Sequence, residues 1–505
     1  MRLQTGLGLG VLLVFCACWA ASCASPLGPG YAVEQQEIRV HFAPDAQSIH
    51  IAAEYHLRNT GIRPIEQIEV LVPCTRRLHC GPATIHWDST EISAQPAPEG
   101  PRNAVLRFAE PWSLSAAHTL RISYDVLPPE PGTAALGFSA DAFYLPAARW
   151  SPELPQVPGL FGFGGAPPKK WQLTVEIPKG FLVHTSGVVQ KTRSESSGEE
   201  TYHAQQTGED GSPFVVAGRY TAQEIRGAQQ KVILWSRSPA SAQILRQASA
   251  PMATTAKAYN AIFGAPAHRL PVFWIVECPA PAGCFSHFRA NVVALLDEQQ
   301  PDQPSAELAS ADTVMVDPSK GAPKMAAAAA PSLAASWLGY GRSPGFYEQT
   351  PPMSLLPVFA AAQSRERIEG SQVRAATIRR ALRLIAQNPP PGKSAAAADQ
   401  SRDRAKALLF FYGLQDHYGP EVFHNAISHM LYARAKRGFD LDDLIAAFEQ
   451  ETHQNVAQFV RLWLKHPDVP AEFRARYEGA ASDEQLPPRT ATTAANDSPS
   501  KGETP

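Results

Sequence analysis

The chain has 505 residues, enough for two or three domains that each bury a core of ordinary size. A formal net charge of −2 with 18% charged residues excludes a strongly basic nucleic-acid binder and a polybasic membrane-surface protein. With 44% hydrophobic residues, the composition is that of a soluble globular protein.

The first element is a targeting segment. Arg2 precedes an apolar run from Leu7 to Trp19, which ends in the small residues Ala20, Ala21 and Ser22 before Cys23. A run this short, closed by small residues, predicts a signal peptide over 1–22 rather than a spanning helix. The Ala-Ala-Ser-Cys ending resembles a bacterial lipobox, which would make Cys23 the lipidated first residue. Ordinary cleavage near Ala24 is the alternative. No later stretch is long and apolar enough to span a membrane. The chain has seven cysteines, and beyond Cys23 they form two equally spaced pairs, Cys74 with Cys80 and Cys278 with Cys284. In an oxidising compartment these read as disulfides, with local pairing favoured by proximity and crossed connectivity open. A nucleophilic Cys284 served by His287 would need a reduced thiol and an orienting partner, and neither is indicated.

From about Tyr31 to Trp235 the pattern is that of strands. Ile38–Phe42, Leu120–Val126 and Trp171–Ile177 alternate with period two, and Pro178-Lys179-Gly180 closes the last. These are half-buried strands of an antiparallel sheet. At Ser238 the character changes, because Ser238 can cap a helix and Pro239 suits its first position. Helical spacing then runs from Ala240 to Phe263, with Gly264 at the C-cap. Buried strands follow at Val272–Val276 and Val292–Leu296, and from Met325 the chain is mostly helical. Arg402–His417, Pro420–Lys436 and Phe439–Glu451 are amphipathic, and Asp440 and Asp442 suit the first turn of the last. Residues 479–505 are too poor in large apolar side chains to order themselves.

The order of these features resembles the membrane alanyl aminopeptidase family, the gluzincin zinc peptidases that include aminopeptidase N. The similarity runs from about residue 32 to 477, with 297–325 set aside. Glu54–Gly61 is similar to the early strand and turn of that family's saddle-like β domain, and Pro213–Tyr220 to the strand that leaves it. Lys406–Leu409, Tyr418–Phe423, Leu441–Glu449 and Phe459–Leu464 resemble successive helices. The implied fold class is α+β. An N-terminal antiparallel β saddle-like domain (32–235) is followed by a thermolysin-like α/β-to-helical domain (236–478), and the family's later β-sandwich and solenoid domains are not expected.

The family's chemistry needs His-Glu-x-x-His on a helix, where two histidines four apart hold zinc and the glutamate activates water. The counterpart here is Pro331-Ser332-Leu333-Ala334-Ala335-Ser336-Trp337-Leu338-Gly339. Anchored on Trp337 and Gly339, the resemblance places the ligand positions on Pro331, Ala335 and Ser354 and the general base on Ser332. Ser286, in Gly283–His287, stands where a glutamate would bind a substrate amine, and Arg404 stands where a tyrosine would support the oxyanion. Proline and alanine offer no donor atom, and a serine hydroxyl is a poor zinc ligand. No histidine or glutamate lies between Lys324 and Phe346, so a one-residue shift changes nothing.

Fifteen histidines leave room for a relocated site. His424 and His429 are five apart and face different directions, while His79 and His86 lack a carboxylate cluster. Ser332 lies in no Gly-x-Ser-x-Gly pattern and reads as a capping residue. Pro331 should sit at a first turn or kink its helix. The expected protein is therefore an exported, lipid-anchored, non-catalytic envelope binding or assembly module on the periplasmic side. It would have no cofactor, no nucleic-acid partner, and a peptide or envelope protein as ligand. A divergent zinc metallopeptidase or other hydrolase is the alternative.

Overall fold

A computed structural model describes residues 30–478 apart from 44–47, 73–79, 93–94, 98–99, 128–137, 140, 147–149, 155–169, 194–197, 206–212, 227–230, 265–271, 280–305, 311, 340–351, 388–395, 435–438 and 467. The leader with Cys23, the predicted strand Val292–Leu296 and the tail 479–505 lie outside the described residues.

The strands in chain order are β1 (Tyr31–Ala43), β2 (Ser48–Asn59), β3 (Ile65–Leu71), β4 (Thr84–Trp87), β5 (Thr90–Glu91), β6 (Gln95–Ala97), β7 (Gly100–Trp112), β8 (Ala117–Val126), β9 (Phe138–Ser139), β10 (Ala142–Leu145), β11 (Trp171–Pro178), β12 (Leu182–Thr185), β13 (Val188–Arg193), β14 (Glu199–Gln205), β15 (Val215–Gly218), β16 (Thr221–Arg226), β17 (Lys231–Ser236), β18 (Val272–Glu277), β19 (Ala306–Ser310) and β20 (Thr313–Val316). The helices are α1 (Pro239–Phe263), α2 (Ala322–Trp337), α3 (Leu356–Glu369), α4 (Gln372–Gln387), α5 (Ala396–Tyr418), α6 (Pro420–Arg434), α7 (Leu441–Thr452), α8 (Val456–Lys465) and α9 (Ala471–Glu478). The protein is mixed α+β, sheet-rich in its N-terminal half and helical in its C-terminal half.

Two compact units divide it. The first takes residues 1–135, 148–179 and 187–206, and the second takes 136–147, 180–186 and 207–505. β9, β10, β12 and β15–β17 thus belong to the second unit although they precede Ser238 in sequence.

The first unit is an eight-stranded sheet, ordered β13-β14-β11-β1-β2-β8-β4-β5, with a three-stranded sheet β3-β7-β6. Pairing is antiparallel except between β1 and β11, which run parallel. The sheet is otherwise antiparallel as expected, and this one pair could not be foreseen because alternation reports which face is buried and carries no sign for strand direction. The buried face carries Ile38, Val40 and Phe42 of β1 and Ile49, Ile51 and Tyr55 of β2. Tyr55 and Tyr124 donate their hydroxyls to the carbonyls of Pro152 and Trp150, which ties this face to the 150–154 segment. The turn after β2 is held by Asn59, whose amide donates to Trp112 O (3.0 Å) and Arg63 O (3.2 Å) and accepts from Gly61 N (2.9 Å).

The second unit contains a four-stranded sheet, β12-β15-β10-β9, and a five-stranded sheet, β16-β17-β18-β20-β19. In the latter β17, β18 and β20 are parallel and the edge strands antiparallel. α1 is the crossover from β17 to β18. Its start follows the sequence reading closely: Ser238 Oγ accepts from Ser241 N (3.1 Å), Pro239 opens the helix, and Gly264 takes positive φ at the C-cap. At α7, Asp440 and Asp443 form a reciprocal capping box and Asp442 lies in the first turn. One apolar core runs from α1 and β18 through α2, α3 and α5 to α8 and α9.

Close packing in that core gives a first test. A Cβ on Gly413 of α5 would lie 2.2 Å from the indole of Trp463 on α8, which is itself buried. Gly413→Ala should therefore destabilise the protein by about 1–3 kcal/mol, since a buried indole cannot swing aside. Chemical denaturation monitored by far-UV circular dichroism measures the loss. An unchanged midpoint would mean that α5 and α8 separate freely.

Candidate functional site

The aligned metal positions centre on α2. Its buried residues run from Met325 through Trp337, and the alanine-rich segment allows α1 to lie close against it. Tyr259 of α1 donates to Ala330 O (2.7 Å), and Trp337 Nε1 donates to Gly264 O (3.1 Å), tying the C-terminal halves of the two helices together.

Pro331 lies inside α2 rather than in its first turn. Its missing N–H leaves the carbonyl four residues earlier, on Ala327, without a helical donor. Ala327 is exposed, so water can serve that carbonyl. The same arrangement recurs in α1, where Pro251 frees the carbonyl of exposed Gln247. Each proline is placed where its orphaned acceptor faces solvent.

Ser332 is a buried interior residue of α2, and the reading of it as a cap is corrected. The helix begins at Ala322, with Gly321 at its N-cap, because the alanine run is itself helical and extends the element a full two turns upstream of Ser332.

Pro331 and Ala335 are four apart and share one face of α2. Ser354 sits in a 3₁₀ turn, Met353–Leu355, that leads into α3 and packs against α5. Arg404 is on α5, buried, and desolvation lowers its pKa. The fold thus gathers the α2 positions on one helix, and neighbouring elements carry Ser354 and Arg404. Pro331, Ala335 and Ser354 present no imidazole or carboxylate, so these residues do not fit a zinc ion. Among the described residues no group of three or more His, Cys, Asp or Glu side chains could hold a metal. Ser286, Cys284 and His287 lie outside the described residues.

The histidines singled out in sequence are engaged elsewhere. His424 packs edge-on against Phe263 and Phe423, while His429 Nδ1 meets Glu451 at 2.6 Å. Cys80 and Cys278 are disulfide-bonded, and Cys74 lies outside the described residues, as does Cys284.

Two polar clusters in the second unit were not foreseen. In the first, His184 of β12 is wholly buried, stacked on Trp274 (4.0 Å) and edge-on to Phe214 and Trp235. Its Nε2 lies 2.8 Å from Thr313 Oγ1, which donates to Asp312 (3.0 Å). A hydroxyl that donates to Asp312 must accept from the imidazole, so His184 is the Nε2–H tautomer. Desolvation pushes its pKa down to about 4, against a smaller opposing pull from Asp312.

The second cluster is built on Arg374 of α4. It reaches Asp416 (2.5 Å), Gln415 and Glu366 (3.7 Å), and its guanidinium lies over the Tyr412 ring at 4.8 Å. Gln415 continues to Gln363 (2.9 Å), and Tyr477 of α9 donates to Asp416 (2.7 Å). Partners more than a hundred positions apart, as in His184–Thr313 and Arg374–Tyr477, leave no local signal in a sequence.

The fold is similar to that of M1 zinc metallopeptidases. A mutant of the M1 zinc metallopeptidase from Deinococcus radiodurans matches with a TM-score of 0.55 at 14% identity, over 88% of this chain and 96% of that chain. Another structure of M1 zinc metallopeptidase from that organism matches at 0.52 with 13% identity and the same coverage. A two domain M1 zinc metallopeptidase mutant bound to L-arginine matches at 0.56 and 13%, again with that coverage. No protein-family model matches the sequence, and no curated protein matches it. At such identities the likeness is one of fold, and function has to be argued from the site.

Proposed function

We propose that this chain is a non-catalytic member of the aminopeptidase-like fold. In this reading it is exported through its leader, held at the periplasmic side of a bacterial envelope by a lipid on Cys23, and binds a peptide or envelope protein. It takes no zinc at the aligned positions and uses no other cofactor. The local pairs Cys74–Cys80 and Cys278–Cys284 complete it.

The observation that carries this reading is the α2 face bearing Pro331 and Ala335. Zinc peptidase chemistry needs donor atoms at those two places, four apart, to lower the pKa of a bound water toward neutrality. A proline ring and a methyl group supply none, and Ser332 is a weak base beside a carboxylate. Adventitious metal would also find Arg404 where oxyanion support is needed. The fold likeness makes an extended peptide segment the natural class of ligand.

Amidase assays on amino-acid amides, run with and without added zinc, test the proposal. The expected result is no turnover above the uncatalysed rate in either condition. Turnover that a chelator abolishes and zinc restores would instead establish the divergent metallopeptidase.

A further inference from the structure

The eight-stranded sheet of the first unit carries an arrangement that the reading above leaves unused. Register sets Glu176 of β11, His41 of β1, His50 of β2 and Asp125 of β8 directly opposite one another across four adjacent strands. Directly opposed residues point to the same face, with Cβ atoms about 4.5–5.5 Å apart in an antiparallel pair. His41 and His50 are therefore cross-strand neighbours, and their side chains are 36% and 47% exposed.

Each imidazole is held through one ring nitrogen by a carboxylate. His41 Nε2 meets Glu199 at 3.2 Å, and His50 Nδ1 meets Asp125 at 2.8 Å. His41 Nδ1 and His50 Nε2 have no polar partner among the described residues. A carboxylate on the far nitrogen, which fixes the tautomer and ring orientation and leaves the near nitrogen as a lone-pair donor, is the second-sphere arrangement of metal-bound histidine. Two imidazoles on opposed strand positions can reach the roughly 2.0–2.1 Å bond lengths of one ion placed between them.

We infer that His41 and His50 form a two-imidazole clamp for a divalent transition-metal ion, with water in the remaining positions and Glu199 and Asp125 as outer partners. Two protein ligands suffice for this clamp, which is consistent with the absence of any three-residue group among the described residues. Imidazole donors select Cu²⁺, Ni²⁺ and Zn²⁺ over Mg²⁺ and Ca²⁺, and affinity should follow the order that peaks at Cu²⁺. The clamp lies wholly within the first unit, so it is independent of whether the α2 positions have any catalytic history.

Isothermal titration of the untagged full-length chain with Cu²⁺, Ni²⁺ and Zn²⁺ salts tests the inference. One saturable site per chain is expected, tightest for Cu²⁺ and insensitive to excess Mg²⁺. His41→Gln and His50→Gln should each weaken it by at least about tenfold, Asp125→Asn by about tenfold, and the double histidine variant should abolish it. His203→Gln, on the same face but bonded to Thr174, should leave it unchanged. His50, Asp125 and His203 are exposed and His41 is half-buried, and circular dichroism of each variant shows whether the fold is intact. No saturable binding by the natural protein, or equal affinity in the double variant, would overturn the clamp. An ion retained by the double variant belongs to another site, and the amidase assay then decides separately whether that site is catalytic.

Discussion

Replacing Arg374 by methionine is expected to destabilise the second unit by about 3–5 kcal/mol. Arg374 and Asp416 are only 6% and 7% exposed and lie 2.5 Å apart, and Glu366 is nearby. Burial alone would disfavour the guanidinium, but Tyr477, Asp416 and Glu366 together hold its pKa above the ordinary arginine value. The loss therefore falls mostly on what remains, since Asp416 and Glu366 would be left with their main counter-charge gone. Arg476 is within 3.4 Å of Asp416 but half-exposed, so water screens its compensation. A double substitution, Arg374→Met with Asp416→Leu, should recover much of the loss by removing the stranded carboxylate. Urea unfolding of the two single variants and the double variant measures this. A single Arg374→Met within 1 kcal/mol of the natural protein would show that the cluster is not energetically coupled.

The second large effect is a pH dependence. His184 has a folded-state pKa of about 4, below the ordinary histidine value near 6.5. Between those two values the unfolded chain binds the proton more readily than the folded chain, so stability falls as the solution is acidified. The contribution is complete above pH 6.5, declines by about 1.4 kcal/mol per pH unit, and totals about 3 kcal/mol once the pH is near 4. The structural cause is specific. Protonation would add an Nδ1–H to a ring packed against Trp274, Trp235 and Phe214, and among the described residues it has no acceptor. His184→Gln cannot gain that proton but can still donate to Thr313. The stability gap between the natural protein and this variant should narrow steadily from pH 7 to pH 4.5. Parallel curves in a tryptophan-fluorescence denaturation series would show that another group controls the acid limb.

Elements whose signals are local could be read from the sequence. Ser238, Pro239 and Gly264 bound α1, and Asp440 starts α7, because caps act within one turn. Alternation in β1, β8 and β11 located the strands but not the parallel β1–β11 pairing, which depends on strand order. The stretch 297–325 was set aside, yet it holds β19 and β20, short strands completed only by pairing with β18. Ser332 shows the same limit from the other side. A serine after a proline suggests a helix start, but the alanine run preceding it is itself helical. Of the candidate site, Pro331 and Ala335 could be named as donor-free in sequence because proline and alanine lack donor atoms in any fold, and Ser354 offers only a poorly ligating hydroxyl. The His184 and Arg374 clusters and the His41–His50 register could not, since each depends on which distant strands or helices become neighbours.

The interleaving of the two units sets an order for folding during synthesis. The first unit cannot close its eight-stranded sheet until β14 has emerged, at Gln205. By then β9, β10 and β12 have already been made, and they belong to the other unit. β10 and β12 pair with β15, which follows shortly, but the core they cover includes Val276 and Met315, supplied much later. The nascent chain must therefore carry an apolar sheet without its full covering layer while the chain from Gly218 to Met315 is added, which is a sequence-distant and slow kind of closure. Cutting the gene at the change from strands to helices near Ser238 would leave that sheet permanently uncovered, so neither fragment is expected to be soluble alone.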